Sequence, residues 1–202
     1  MRVFSRYQTN LITAMTVLTC LISFTNRLES QTTPESSEMD SSPSDLTLTQ
    51  DEQWLFTANH SSGTVSMIHL PSATVTSEIV IGPRLSSIVL TPDANALLLT
   101  SSQLGNLTIV SRNRQSLDIK KHIHLGFEPR GVAVSPDGKW AYVALSTAHT
   151  IAVVDLTSLE VVEQIPVKRW PRFLTLTSDG KILAVGCSGD TGIAVVEPKK
   201  PT

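Results

Sequence analysis

The sequence predicts an all-β protein built from four copies of one unit. A turn signal, SPDG in its clearest copy, recurs in the 202-residue chain, and the copies begin at Thr49, Thr91, Ser135 and Thr177. The steps between them are 42, 44 and 42 residues, and a second apolar run begins 14 residues after each start. A period of about 40 to 45 residues, with short apolar runs and no helical periodicity, is typical of β-propeller blades.

Each unit contains four predicted antiparallel strands. In the third copy they are GVAVS, WAYVALS, TIAVVDL and EVVEQIPV, which are rich in Val, Ile, Ala and Thr and are divided by Pro, Asp, Gly and Ser. Such strands need a neighbouring sheet to cover each apolar face, and the next blade supplies it. The residues expected between blades in this copy are Val132, Val134, Ala141, Val143, Ile151 and Val153.

The predicted units span residues 43–84, 85–128, 129–170 and 171–198, followed by a tail at 199–202. The fourth copy has FLTLT, ILAVGCS and TGIAVVEP but no counterpart of EVVEQIPV, which makes about 3.75 blades. Propellers usually protect their strand edges by closing a ring. We therefore expect an incomplete propeller, which is either the front part of a longer one or a chain that self-associates through its open blade edges.

Aspartates recur at the predicted turn between the first two strands, at Asp51, Asp93, Asp137 and Asp179. An aspartate accepts hydrogen bonds from the backbone amides just ahead of it, and a following glycine such as Gly138 tolerates positive φ. We assign these carboxylates to turn formation, and the sequence predicts no catalytic residue.

The first 30 residues predict a secretory leader. Arg2 and Arg6 precede an apolar segment at residues 11–24, which is short against the roughly 20 residues of a bilayer-spanning helix and therefore favours cleavage over a permanent anchor. Lipid attachment at Cys20 is the alternative. Residues 31–42 are acidic and serine-rich, so we expect a disordered linker and a secreted or periplasmic mature protein.

Residues 129–167 resemble the YVTN β-propeller repeat family, in which AYVAL and its neighbours occupy the strand that names the repeat. The resemblance extends over residues 43–198 and is looser in the second copy. It implies a bacterial, extracytoplasmic propeller, and some relatives join such a propeller to a c-type cytochrome domain. Because this chain has no CxxCH haem-attachment motif, the resemblance implies no cofactor here.

Few other residues point to chemistry. His122 and His124 share one face of an outer strand but lack the further ligands that zinc requires, so no metal site is predicted. His60 and His149 are interpreted as solvated loop residues, and Cys187 as a small buried residue. The formal net charge of −2 argues against a nucleic-acid partner.

Arg130 and Arg172 are the candidate ligand-binding residues. Each follows the proline that opens an innermost strand, and equivalent repeat positions are related by the blade rotation, so both side chains should converge on one rim near the channel mouth. Paired guanidinium groups there attract an anionic ligand or a partner's carboxylates. The alternative is that the arginines bridge neighbouring blades by donating to loop carbonyls.

Two functions follow from these patterns. The favoured one is a non-catalytic, secreted propeller that binds a protein or cell-envelope component by its rim. The alternative is the propeller portion of an extracytoplasmic redox protein, similar to a cytochrome c or a quinoprotein, whose catalytic domain is absent from this chain.

Overall fold

The computed structural model describes residues 41–190 and 192–198. The predicted leader, nearly all of the predicted linker and the predicted tail lie outside the described residues. Within those ranges the structure contains strands and one short 3-10 turn, Leu70–Ser72. None of the described segments is a helix long and apolar enough to cross a membrane.

The strands form four antiparallel sheets, each a simple meander in chain order. The first sheet contains β1 (Pro43–Leu48), β2 (Trp54–Asn59), β3 (Thr64–His69) and β4 (Thr74–Val80). The second contains β5 (Leu85–Leu90), β6 (Ala96–Ser101), β7 (Asn106–Arg112) and β8 (Leu117–His124). The third contains β9 (Pro129–Val134), β10 (Trp140–Leu145), β11 (Thr150–Asp155) and β12 (Glu160–Pro166). The fourth contains β13 (Pro171–Leu176), β14 (Leu183–Cys187) and β15 (Ile193–Val196).

The four sheets are the blades of a four-blade β-propeller, which confirms the predicted all-β propeller fold. We call them blades 1 to 4 in chain order. The first strand of each blade contacts the first strand of the next, from β1 through β5 and β9 to β13, so these strands line the inner side. A register shift near the start of each inner strand, such as the one between Pro43 and Asp45, bends the strand at the same place in all four blades.

The core consists of three apolar layers, each between two consecutive blades. Phe56 and Met67 of blade 1 pack with Leu97 and Leu99 of blade 2. The second layer joins blades 2 and 3, and the third joins blades 3 and 4 around Tyr142 and Leu183. No blade has a core of its own, because a single sheet can bury an apolar face only against another sheet.

The residues predicted to lie between blades do so on both faces of blade 3. Val132, Ala141 and Val143 are buried in the layer shared with blade 2, whereas Ile151 and Val153 are buried in the layer shared with blade 4. Val134 is partly buried against the layer shared with blade 2. Because successive side chains of a strand point to opposite faces of the sheet, the apolar residues of blade 3 pack alternately against blade 2 and blade 4.

The four aspartate turns have one geometry. In blade 2, Thr91 Oγ1 donates to Asp93 Oδ1 at 2.6 Å, and the same carboxylate oxygen accepts the amide of Asn95 at 3.1 Å. The equivalent hydroxyl-to-carboxylate distances are 2.5 Å in blade 1 and 2.6 Å in blades 3 and 4. The threonine hydroxyls are the main reason that the pKa values of Asp51, Asp93 and Asp179 lie below their ordinary value.

We expect Val143→Asp to destabilise the protein by roughly 3 kcal/mol or more, because an unpaired carboxylate would be buried between blades 2 and 3. Val162→Asp makes the same change at an exposed position on the outer strand β12 and should stay within about 0.5 kcal/mol of the parent. Urea unfolding monitored by circular dichroism measures both. Equal midpoints for the two variants would contradict the blade assignment.

Candidate functional site

The arrangement of the strands gives the molecule two ends. We call one the linker end, where the inter-blade segments 81–84, 125–128 and 167–170 lie beside the turns that join second to third strands. The other is the turn end, which holds the aspartate turns. Both candidate arginines lie at the linker end, Arg130 as the second residue of β9 and Arg172 as the second residue of β13.

Arg130 is partly buried and is held by two contacts. Its guanidinium forms an ion pair with the carboxylate of Glu128, in the segment that precedes β9. Its backbone carbonyl accepts the hydroxyl of Thr100 from blade 2. Its Nε is buried and has no hydrogen-bond partner among the described residues. The ion pair therefore fixes the direction of the side chain and leaves one donor unsatisfied.

Arg172 is exposed, and its guanidinium forms no hydrogen bond or ion pair with residues 41–190 or 192–198. The backbone of Arg172 is closely fitted against blade 3, since a Cβ added at Gly131 would overlap the Arg172 carbonyl oxygen. The inner strands β9 and β13 thus approach each other directly beside both arginines. The surface formed by the two arginines therefore has one guanidinium group paired with Glu128 and one, that of Arg172, without a partner among the described residues.

The bridging role considered for the arginines belongs to short side chains instead. Ser146 Oγ of blade 3 donates to the carbonyl of Pro171 at 2.6 Å, and Ser44 Oγ of blade 1 donates to the carbonyl of Leu85 at 2.9 Å. Neither arginine side chain donates to a backbone carbonyl within the described part of the chain. Their guanidinium groups are therefore not needed to join the blades.

A second group of side chains, not singled out by the sequence, adjoins Arg172. Trp170 is 44% exposed, and the guanidinium of Arg169 lies over its ring at 5.2 Å from the centroid. The amide of Arg169 donates to Asp190 at 2.8 Å. Lys168 is also exposed. A stacked arginine and an exposed indole are groups that dominate the energetics of many protein interfaces.

His60 forms a hydrogen bond with blade 2, and His149 forms one with the inter-blade segment 167–170, which corrects their interpretation as solvated loop residues. His149 Nδ1 accepts the amide of Trp170 at 3.2 Å, and His60 Nδ1 donates to the carbonyl of Leu85 at 2.9 Å. His149 has φ +58°, and the equivalent positions in blades 1 and 2 are Gly63 and Gly105. An alignment of the copies could have identified His149 from the sequence, because it stands where two other copies have the glycine that a positive φ favours.

The charges at the two ends are opposite in balance. We count the charged residues at the linker end over the inter-blade segments, the adjacent turns and the first two residues of each inner strand. Among the described residues this end has five bases, Arg84, Arg130, Lys168, Arg169 and Arg172, and two acids, Glu128 and Asp190. The turns and adjoining strand ends at the turn end carry more acids than bases: Asp51, Glu52, Asp93, Asp137, Asp155, Glu160 and Asp179, with Arg112, Arg114, Lys139 and Lys181. The linker end is therefore the end that favours an anionic partner.

The remaining candidates have structural partners. His122 Nδ1 forms a hydrogen bond with Thr108 Oγ1 at 2.9 Å, and His124 Nδ1 with Asn106 Oδ1 at 3.1 Å. The Cys187 thiol is buried, as predicted, and burial raises its pKa. Over the described residues, no group of three or more His, Cys, Asp or Glu side chains is placed to hold a metal ion.

A cavity of about 490 Å³ lies at the turn end between blades 2 and 3. Its lining includes Pro92, Asp93, Leu98 and Lys120. Asp93 already accepts the Thr91 hydroxyl and the Asn95 amide, so its carboxylate serves the turn. The cavity combines no convergent set of free polar groups, and the linker end is the better candidate site.

Comparison with known proteins places this propeller in a family. The model of the choice-of-anchor I domain matches residues 19–182. The chain belongs to this family. Among curated proteins, none matches the chain.

Three solved structures are similar to this choice-of-anchor domain. Hydrazine synthase from Kuenenia stuttgartiensis is 27% identical with a TM-score of 0.72, over 83% of this chain and 49% of that one. A functionally unknown protein from Desulfotomaculum acetoxidans is 18% identical with a TM-score of 0.70, over 77% and 51%. The Swd1 β-propeller domain from Myceliophteria thermophila is 12% identical with a TM-score of 0.69, over 78% and 54%. The chain thus spans about half the length of these structures, and the last two similarities concern the fold alone.

We expect Gly131→Ala to destabilise the protein by about 1 to 3 kcal/mol, since the new methyl group would overlap the backbone of Arg172 and force blades 3 and 4 apart. Gly186→Ala is the matched control, because a Cβ there meets Phe173 at an ordinary 3.5 Å. Thermal unfolding distinguishes the two. Equal melting temperatures would show that β9 and β13 do not approach as described.

Proposed function

We propose that this choice-of-anchor propeller is a non-catalytic binding module of an extracytoplasmic protein, and that its partner is an acidic protein segment or an acidic component of the cell envelope. The observation that carries the proposal is the basic and aromatic surface at the linker end of blades 3 and 4. It combines the exposed Arg172, the stacked pair of Arg169 and Trp170, and Lys168.

The chemistry of this surface suits carboxylates. An arginine guanidinium offers a planar set of donors that matches a carboxylate, and Arg172 has these donors unengaged by the described residues. Arg130 is oriented by Glu128 and provides a fixed positive group beside it. Trp170 can cover the apolar part of a bound segment while its indole N–H remains a donor.

The extracytoplasmic setting has two supports. Choice-of-anchor domains are typically found on extracytoplasmic or cell-surface proteins. The resemblance of residues 129–167 to YVTN repeats implies the same setting, and within this proposal the blades are YVTN-type repeats behind a secretory leader.

We expect a fluorescein-labelled decaglutamate peptide to bind the protein in a salt-dependent manner, because the contacts are between exposed charges. The double variant Arg130→Ala with Arg172→Ala should weaken binding by roughly tenfold or more, whereas Lys139→Ala with Lys181→Ala removes the same charge from the turn end and should change it less than about threefold. Fluorescence anisotropy at low and physiological ionic strength measures both.

Equal losses in the two double variants would mean that only net charge matters and would remove the arginines as site residues. Undetectable binding of the peptide at low ionic strength would overturn the acidic-partner proposal itself. A decalysine peptide serves as the charge-reversed probe and should not bind at the linker end.

A second candidate function is supported by the similarity to hydrazine synthase. Under it, the chain is the propeller portion of an extracytoplasmic redox protein whose reaction centre lies on another domain or subunit. Protein purified from its own host should then carry a haem or quinone absorption band in the visible range. A featureless visible spectrum for the purified material would argue for the binding module.

A further inference from the structure

A polar groove of about 760 Å³ opens at the turn end between blades 1 and 2. We call it the arginine groove. Blade 1 supplies two rings to its lining, those of Trp54 and His69, and blade 2 supplies two guanidinium groups, those of Arg112 and Arg114. The structure describes both of these blades, so the groove has a wall on each side.

The equivalent place between blades 2 and 3 is lined by apolar side chains. In that cavity Leu156 takes the place of Arg112, and Leu159 takes the place of Gln115. Leu70 is the equivalent residue in blade 1: the amides of Leu70, Arg112 and Leu156 each donate to the carbonyl of the residue before the second strand of their blade, at 2.8 to 2.9 Å. Two blades thus have a leucine where blade 2 has an arginine, and the packing of the blades alone does not explain the charge.

The guanidinium of Arg112 has a fixed direction and unused donors. It lies over the rings of Trp54 and Phe56, at 5.5 and 5.4 Å from their centroids, and its Nη1 donates to the carbonyl of Ala94 at 3.2 Å. Its Nε is buried without a hydrogen-bond partner, and no described residue accepts from its Nη2. Because cation–π contacts orient a guanidinium without using its N–H groups, Arg112 keeps donors for an acceptor in the groove.

No carboxylate lines the arginine groove within the described part of the chain. Arg114 is exposed in the turn between β7 and β8 and has no partner among the described residues. Asp118 of the same hairpin accepts Asn113 Nδ2 at 3.1 Å. Asp51, whose charge interacts with that of Arg112, accepts the threonine hydroxyl of its own turn at 2.5 Å. Both acids are held by turns, so the charged groups that face the groove are cationic although the turn end as a whole carries more acids.

A row of polar groups follows the wall of blade 1. His69 Nδ1 and Ser72 Oγ are 2.8 Å apart, and Ser72 Oγ and Thr74 Oγ1 are also 2.8 Å apart. Thr76 Oγ1 donates to the carbonyl of Met67 at 3.2 Å, which leaves its oxygen free to accept. Ser72, Thr74 and Thr76 are exposed, and such a row of donors and acceptors matches the hydroxyl groups of a sugar.

We infer that the arginine groove binds an acidic sugar, with the anionic group at the two arginines and the ring hydroxyls along the wall of blade 1. A guanidinium matches the oxygens of a carboxylate or a phosphate, so the ligand is a uronate or a sugar phosphate. The volume of about 760 Å³ lies within the range of small-molecule sites. The groove is at the opposite end from Arg130 and Arg172, so this inference rests on neither function proposed above.

The three tryptophans of the chain, Trp54, Trp140 and Trp170, provide the measurement. Each indole N–H gives one cross-peak in a proton–nitrogen correlation spectrum, and substitution of each tryptophan by phenylalanine assigns the peaks. Titration with glucuronate or glucose 6-phosphate is expected to move the peak of Trp54, which lines the groove, and to leave that of Trp140, its equivalent in blade 3, in place. Glucose, the neutral control, should move neither peak at the same concentration.

Two variants test the arginines. Arg112→Leu introduces the residue that blades 1 and 3 have at this position, so the variant should fold, and Arg114→Gln changes an exposed side chain. Each should weaken binding of the acidic sugars roughly tenfold or more. Lys139→Leu is the matched control: it removes one exposed charge from the turn end outside the groove and should change the affinity less than about twofold.

A response to only one of the two acidic sugars would support the inference and identify the anionic group. Inorganic phosphate that binds as tightly as glucose 6-phosphate would show that the sugar is not recognised and would overturn the inference. A Trp54 peak that neither acidic sugar moves, an equal response to glucose, or an equal loss in Lys139→Leu would overturn it as well. So would a shift of the Trp170 peak with the Trp54 peak unchanged, because the anion would then lie at the linker end.

Discussion

The structure depends on one requirement, that the apolar face of each blade be covered by the next blade. Burying a large aliphatic side chain contributes about 1.5 to 3 kcal/mol, and the large aliphatic side chains of the core lie in the three layers between blades. The requirement sets the repeat length, the alternation along the strands and the equivalence of positions between copies. It also explains the linker end, where Ser44 and Ser146 join the inner strand of the following blade by hydrogen bonds that only correctly stacked blades can make.

Much of the fold could be predicted from the sequence because its determinants are local and repeated. The repeat length, the number of strands per blade and the aspartate turns are each determined by residues within one repeat. The same pattern is present in all four copies. The fourth sheet has three strands within the described residues. The threonine and serine hydroxyls that bind the turn aspartates were overlooked, although their spacing of two residues is as regular as the aspartates themselves.

The candidate site could be predicted only in part. Repeat equivalence was enough to put Arg130 and Arg172 at one end, because the blade rotation relates their positions. It could not identify Glu128 as a partner of Arg130, or Trp170 as a neighbour of Arg169, since the inter-blade segments IGPR, LGFE and VKRW share little sequence. His149 was misinterpreted for a related reason: its side-chain contact with Trp170, in the segment between blades 3 and 4, has no equivalent at Gly63 or Gly105.

The unequal charge of the two ends gives the described part of the propeller a dipole along its axis. In a solution of ordinary ionic strength a charged surface is felt only within about 8 to 10 Å. Over that last distance a dipole experiences a torque as well as an attraction, so the propeller would turn its linker end towards an anionic layer before any contact is made. Such alignment reduces the fraction of unproductive collisions, and its benefit would fall as salt is added even for a partner whose final contacts were mostly apolar.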